Sequence, residues 1–174
     1  MNGDPLSRAP VPQPSHSSDE ADRFGFDDTR DYLGAALSRL LPRRLVRGAL
    51  AVSVETDRDS YGPGDPVKIR TTIRNRYPVP VEIGTASRRR WGWSVDGLLE
   101  ASDEPRRDPG GTAGFSFRAR ERKTITWTWD GRVKHVDSDG TARWEPLSPG
   151  EHQIRVYVAT ANEKPAAATT IRIE

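Results

Sequence analysis

The stretch Glu121-Arg122-Lys123-Thr124-Ile125-Thr126-Trp127-Thr128-Trp129-Asp130-Gly131 decides the fold class of this chain. Ile125, Trp127 and Trp129 fall on one parity, and Thr124, Thr126 and Thr128 on the other. A period of two marks a strand with one buried and one wet face, because successive side chains of an extended backbone point to opposite sides. The residue types agree, since β-branched and aromatic side chains pack well on a pleated surface. Asp130-Gly131 then supplies the turn that ends the strand.

Working outward, the same period recurs. Val67, Ile69, Thr71 and Ile73 alternate with Lys68, Arg70, Thr72 and Arg74, and Val52, Val54 and Thr56 enclose Ser53 and Glu55. Between these two runs lies Tyr61-Gly62-Pro63-Gly64-Asp65-Pro66, in which Pro63 presets φ for the first corner of a tight turn and Gly64 accepts the positive φ of the second. Val79 to Ile83 reads as a third strand, flanked by Pro78 and edged by Pro80. Trp91, Trp93 and Val95 share a face of a fourth, turned by Asp96-Gly97, and Phe115 and Phe117 begin a short fifth. Downstream, Pro149-Gly150 turns into a strand with Ile154, Val156 and Val158 inward, and Thr169, Ile171 and Ile173 share a face of the last. The stretches 98–114 and 131–146 read as long polar loops, and Trp144 in the second reads as a core-edge residue, with exposure as the alternative because it lies in an irregular stretch before Pro146.

Seven or eight short strands with turns between them, and no helical period after Pro42, predict an all-β chain. The expected form is an immunoglobulin-like antiparallel β-sandwich over residues 50–174. The chain has no cysteine, so disulfides, thiolate metal sites and cysteine nucleophiles are all excluded and the core must hold the fold alone. Each buried Val, Ile or Trp contributes roughly 1.5–3 kcal/mol, which makes a sandwich of this length feasible without crosslinks.

The N-terminal part reads differently. Residues 1–28 predict a disordered acidic, proline-rich tail, broken by Pro5, Pro10, Pro12 and Pro14. Residues 29–48 predict a short amphipathic basic helix, capped by Asp28 or Thr29, with Tyr32, Leu33, Ala36, Leu37, Leu40 and Leu41 on one face. Such a helix is too short to stand alone. It is expected to pack on the sandwich, ahead of a partner protein or an anionic membrane. The charge is unevenly spread: residues 1–31 carry a net of −4, residues 32–49 a net of +4, and the rest +2. No apolar run approaches the roughly 20 residues of a membrane span. Without a basic start and apolar stretch at Met1, a cytoplasmic location is expected.

The inventory for catalysis is thin. His16, His135 and His152 have no nucleophile or metal partner at a diagnostic spacing, and they read as isolated surface or strand-end residues. Asp137-Ser138-Asp139-Gly140 resembles the start of a calcium loop, but the later ligands are missing and a hairpin turn explains it. No cofactor, metal or small-molecule substrate is expected. The residues singled out for partner binding are Arg43, Arg44 and Arg47 of the helix, Arg88, Arg89 and Arg90 beside Trp91, and Trp144. Arginine beside aromatics can hold phosphates and stack bases, but a solvated loop feeding a core strand is the favoured reading of Arg88 to Arg90, since Trp91 and Trp93 alternate with Gly92 and Ser94.

Several stretches resemble known families. Thr56 to Val67, with the alternating residues up to Asn75, is similar to the opening of many prokaryotic immunoglobulin-like and macroglobulin-like domains. Trp91-Gly92-Trp93-Ser94, Glu121 to Gly131 and Leu147-Ser148-Pro149-Gly150-Glu151-His152 resemble, in order and spacing, the immunoglobulin-like intracellular proteinase inhibitors of bacilli. The layout also resembles uncharacterised single-domain proteins of halophilic archaea. The resemblance covers roughly residues 52–160 and implies protein binding and protease inhibition, without carrying over any reactive-site residue. The expected function is therefore a non-enzymatic interaction module whose partner is another protein. Protease inhibition stands as an alternative, as does a membrane-surface or nucleic-acid adaptor acting through the arginines.

Overall fold

The structure, a computed structural model, describes residues 48–85, 87–104, 110–160 and 164–174. The expected tail (1–28), the expected helix (29–48, apart from Gly48) and with them Arg43, Arg44 and Arg47 lie outside the described residues. Every regular element among the described residues is a strand: β1 (Leu50–Thr56), β2 (Ser60–Tyr61), β3 (Val67–Asn75), β4 (Val81–Thr85), β5 (Trp91–Val95), β6 (Leu98–Leu99), β7 (Ala113–Phe117), β8 (Arg122–Trp129), β9 (Arg132–Val136), β10 (Ala142–Pro146), β11 (Gly150–Val158) and β12 (Ala166–Ile173).

The stretch that decided the fold class is β8. It pairs antiparallel with β3, which pairs with β1, in a sheet of order β1-β3-β8. The register sets Val67 opposite Trp129, Ile69 opposite Trp127 and Thr71 opposite Ile125. The two inward parities thus coincide, as they must when one face of a sheet is buried. Thr71 is polar yet fully buried, because its hydroxyl donates to the Ser53 carbonyl (2.6 Å). The facing sheet has the order β2-β12-β11-β5-β6.

The inner faces meet in two apolar clusters. One joins Val67, Ile69 and Trp129 of the first sheet to Val95, Ile154, Ile171 and Ile173 of the second. The other gathers Leu50, Ile73 and Ile125 around Val158 and the Val81, Ile83, Phe115 and Phe117 side chains of the small β4–β7 sheet. Four indoles interleave between the sheets: Trp91 and Trp93 lie against Trp127 at centroid distances of 5.2 and 5.8 Å, and Trp93 lies 5.9 Å from Trp129. Tilted rings at these separations combine large apolar burial with favourable quadrupole geometry.

Polar side chains fix the corners. Tyr61 is 2% exposed, and its hydroxyl donates to Asp57 Oδ1 (2.8 Å) while accepting from the Arg58 amide (3.0 Å). Asp57 Oδ1 also accepts from the Lys68 amide (3.0 Å). The Tyr61 hydroxyl, with help from that amide, holds the Asp57 carboxyl below the usual carboxylate range. The adjacent turn forms as the sequence predicts, with Gly64 at φ 76° and the Asp65 amide donating to the Gly62 carbonyl (3.0 Å).

Two expectations shift. The third strand was expected over Val79–Ile83, but β4 runs over Val81–Thr85. Fully buried Asn75 takes the intervening chain: its amide donates to the carbonyls of Val79 and Arg118 (both 2.8 Å), and its Oδ1 accepts from the Tyr77 amide (2.9 Å). The strand count also rises from seven or eight to twelve among the described residues. Two-residue strands such as β2 and β6 exist only through their tertiary pairing. The stretch 131–146, read as a loop, folds into the β9–β10 hairpin.

Candidate functional site

That hairpin is the candidate site. Its polarity hid it in the sequence. All five residues of β10 are exposed, so no alternation arises, and in β9 only Val133 is buried. The turn is Asp137 to Gly140, where the Gly140 amide donates to the Asp137 carbonyl (2.9 Å) and Gly140 takes φ 84°. Asp139 Oδ1 accepts from the Thr141 amide (2.8 Å), and Asp137 Oδ1 lies 3.3 Å from Arg143. These carboxylates are thus engaged by the hairpin itself.

At its base the hairpin is locked to the sandwich. Gly131 has φ 70°, and a Cβ there would lie 2.4 Å from the Asp65 carbonyl oxygen. The Trp129 indole donates to the Arg132 carbonyl (2.8 Å), which joins the core to the first residue of β9.

Along its length the hairpin hangs on residues 100–104, which leave the five-stranded sheet after β6. Glu100 and Ala101 both adopt positive φ (51° and 52°), and this turns the chain beside β9. The Lys134 amide donates to the Ala101 carbonyl (2.8 Å), and the Asp103 amide donates to the Lys134 carbonyl (3.1 Å). Two acids, Asp103 and Glu104, complete the attachment, and a third, Glu100, ties the segment to the loop before β5. Asp103 Oδ1 accepts from the Val136 amide (2.8 Å), and its Oδ2 lies 2.8 Å from His135 Nδ1. Glu104 pairs with Lys134, and Glu100 with Arg89. The His135 hydrogen bond, and after it the Val136 amide, hold the Asp103 carboxyl below its usual range.

Trp144 lies directly opposite Lys134 in the β9–β10 register. At 53% exposure it is the one large hydrophobic side chain exposed among the described residues. In an antiparallel pair, opposed residues alternate between exchanging both backbone hydrogen bonds and exchanging none. The amide and carbonyl of Lys134 are already turned toward residues 101–103. Lys134 and Trp144 are therefore a pair that exchanges none, and the Trp144 N–H and C=O point away from the hairpin. The same holds at Ala142, opposite Val136, whose amide goes to Asp103.

The arginines singled out with Trp144 are placed differently. Val158 pairs with Trp91, and Thr160 pairs with Thr85. Two steps on one strand thus span six on the other, and Ser87 to Arg90 lie in the surplus between β4 and β5. Arg89 is spent on Glu100, and the Arg90 carbonyl accepts from the Ala159 amide (2.9 Å). Arg88 is exposed, with its side chain running past Gly111. The three do not form one free cationic patch.

Residues 38–174 match a family of unknown function, DUF7974. The chain belongs to that family. No curated protein matches it. Among solved structures, this DUF7974 chain is similar to the CARDB domain of a Pyrococcus furiosus protein, at 15% identity and a TM-score of 0.43 over 72% of this chain and 94% of that one. It is also similar to Spo0M, a sporulation control protein of Bacillus subtilis, at 13% identity and a TM-score of 0.45 over 73% of this chain and 50% of that one. A third likeness is to a β-glucosidase of Listeria innocua, at 11% identity and a TM-score of 0.41 over 71% of this chain and 16% of that one. The chain therefore spans half of Spo0M and about a sixth of the β-glucosidase.

The DUF7974 chain also pairs histidines that the sequence left isolated. His152, 9% exposed, sets Nδ1 2.6 Å from Asp96 Oδ2 and Nε2 2.8 Å from the Ser148 carbonyl. Both partners are acceptors, so the geometry suits the protonated ring, in which both nitrogens donate. Burial pushes its pKa down, but Asp96 and the Ser148 carbonyl outweigh burial and raise it above the ordinary value. Only Asp96-Gly97, read as a turn, hinted at this partner, because 56 positions separate Asp96 from His152.

Proposed function

We propose that this chain is a non-enzymatic, immunoglobulin-like protein-interaction module of the cytoplasm, with the β9–β10 hairpin as its contact surface. The observation that carries this reading is Trp144, an exposed indole on a strand exposed throughout, whose partner strand β9 is hydrogen-bonded along its other edge to residues 101–103. Tryptophan is enriched among the residues that dominate binding energy at interfaces. A rigid scaffold that presents one on a projecting hairpin suits a partner protein better than a small molecule. The lack of cysteine fits a reducing compartment.

The test is crosslinking of the full chain in native extract beside Trp144→Ala. A protein captured by the parent chain and lost with the variant supports the reading, whereas identical profiles would overturn it. Protease inhibition, implied by the resemblance to the inhibitors of bacilli, is a narrower version of the same reading. Residual activity of intracellular serine proteases at excess protein separates it: full activity rejects inhibition and leaves the module standing.

A further inference from the structure

Among the described residues no strand pairs with the outer edge of β10, and that edge has a charge pattern that is its own complement. Ala142-Arg143-Trp144-Glu145-Pro146 places a cation and an anion symmetrically about Trp144. The backbone groups that point off the edge belong to Ala142, Trp144 and Pro146, the residues whose β9 partners turn the other way. We propose that β10 pairs antiparallel with β10 of a second copy of this chain, about a two-fold axis through Trp144. The proposal rests on the hairpin being the contact surface and names its occupant.

The two-fold register makes every position meet a fitting one. Trp144 faces the partner's Trp144, and the two exchange both backbone hydrogen bonds. Each Ala142 amide donates to the partner's Pro146 carbonyl. Proline has no N–H, so the ladder stops there. Between these positions Arg143 stands opposite the partner's Glu145, and Glu145 opposite the partner's Arg143, where opposed side chains come closest. Sliding the register by two residues in either direction would break these opposite-charge pairings.

Within one copy, Arg143 is already oriented on this face, 3.3 Å from Asp137 and 3.9 Å from Glu145, with the three side chains about half exposed. The indoles lie together on the opposite face of the new ladder, because Trp144 and its two neighbours alternate sides. The arrangement is isologous and closes at two copies. A five-residue strand makes a small interface of the transient class, so exchange between monomer and dimer is expected at micromolar concentrations.

Sedimentation velocity of the full chain over a micromolar concentration series tests this, with thermal melting to verify that each variant folds. The parent chain should dimerise reversibly. Arg143→Glu sets like charges opposite one another at two positions and should weaken the dimer by about tenfold or more. Glu145→Arg should do the same, and the double exchange R143E/E145R should restore association. Recovery in the double variant is the decisive result, since a heterologous partner or non-specific clustering of Trp144 would not produce it. A parent chain that stays monomeric throughout the series, or a dimer indifferent to R143E, overturns the pairing. If that occurs while Trp144→Ala still abolishes capture of another protein, the interaction module survives and only its self-pairing falls. If neither association nor Trp144-dependent capture is seen, both fall.

Discussion

His152 is where one side chain ties together distant parts of the chain. Its raised pKa means that the folded state holds the proton more tightly than the unfolded chain does. The stabilisation is fully present below the ordinary value of 6.5 and is lost as pH rises through the folded value. His152→Gln should therefore cost about 1–2 kcal/mol on the acid side, discounted for the partly exposed Asp96, and less at high pH. Parallel melting curves of the two proteins from pH 5.5 to 8.5 check this; a constant gap would show that the charge is irrelevant. Gly131 makes a simpler residue-scale case. Its left-handed φ and its contact with the Asp65 backbone leave no room for a Cβ. Gly131→Ala should cost about 2–4 kcal/mol by denaturant titration, and a cost below 1 kcal/mol would mean that the hairpin base is not tightly seated.

Among the elements, β3 and β10 mark the extremes. β3 has a partner on both edges and a buried parity, and it was legible because one wet face and one dry face write a period of two. Among the described residues β10 has one partner, and it is wet on both faces, so nothing in its residues announces a strand. Their amides should behave accordingly. In dilute solution, hydrogen exchange should find the amides of Ala142 and Trp144 open, while those of Arg143 and Glu145, which face β9, are protected. Uniform protection or uniform exposure along β10 would refute the register. Both Phe115 and Phe117 were legible as a strand, but their partner β4 was placed two residues early because Asn75 and its carbonyl acceptors leave no pattern in the intervening residues.

Across the whole molecule, stability and recognition are carried by different residues. Ile69 is fully buried where the two sheets meet, and Ile69→Ala should cost about 2–5 kcal/mol. Trp144 is outside that core, and Trp144→Ala should change stability by no more than about 0.5 kcal/mol while removing association. Urea titration of both variants checks the separation. A destabilised Trp144→Ala would place the indole in the fold's own packing. Trp144 can be altered without loss of the sandwich because the hairpin is seated in the core by Val133 and Leu147, and every residue of β10 is exposed.

By itself the sequence determined the all-β class, the inward parities of the long strands, the turn at Pro63-Gly64 and the absence of any disulfide. Each of these is local: it follows from residues within a few positions of one another and from the need to bury one face. The partners of His135, His152 and Arg89, the extrusion of Arg88 to Arg90 between two strands, and the hairpin that carries Trp144 were decided by tertiary structure alone. They depend on residues as far apart as Asp96 and His152, and on polar contacts that follow no period. Hydrophobic burial repeats along a strand and so can be read from it, whereas a hydrogen bond between two loops is specified only once both loops are in place.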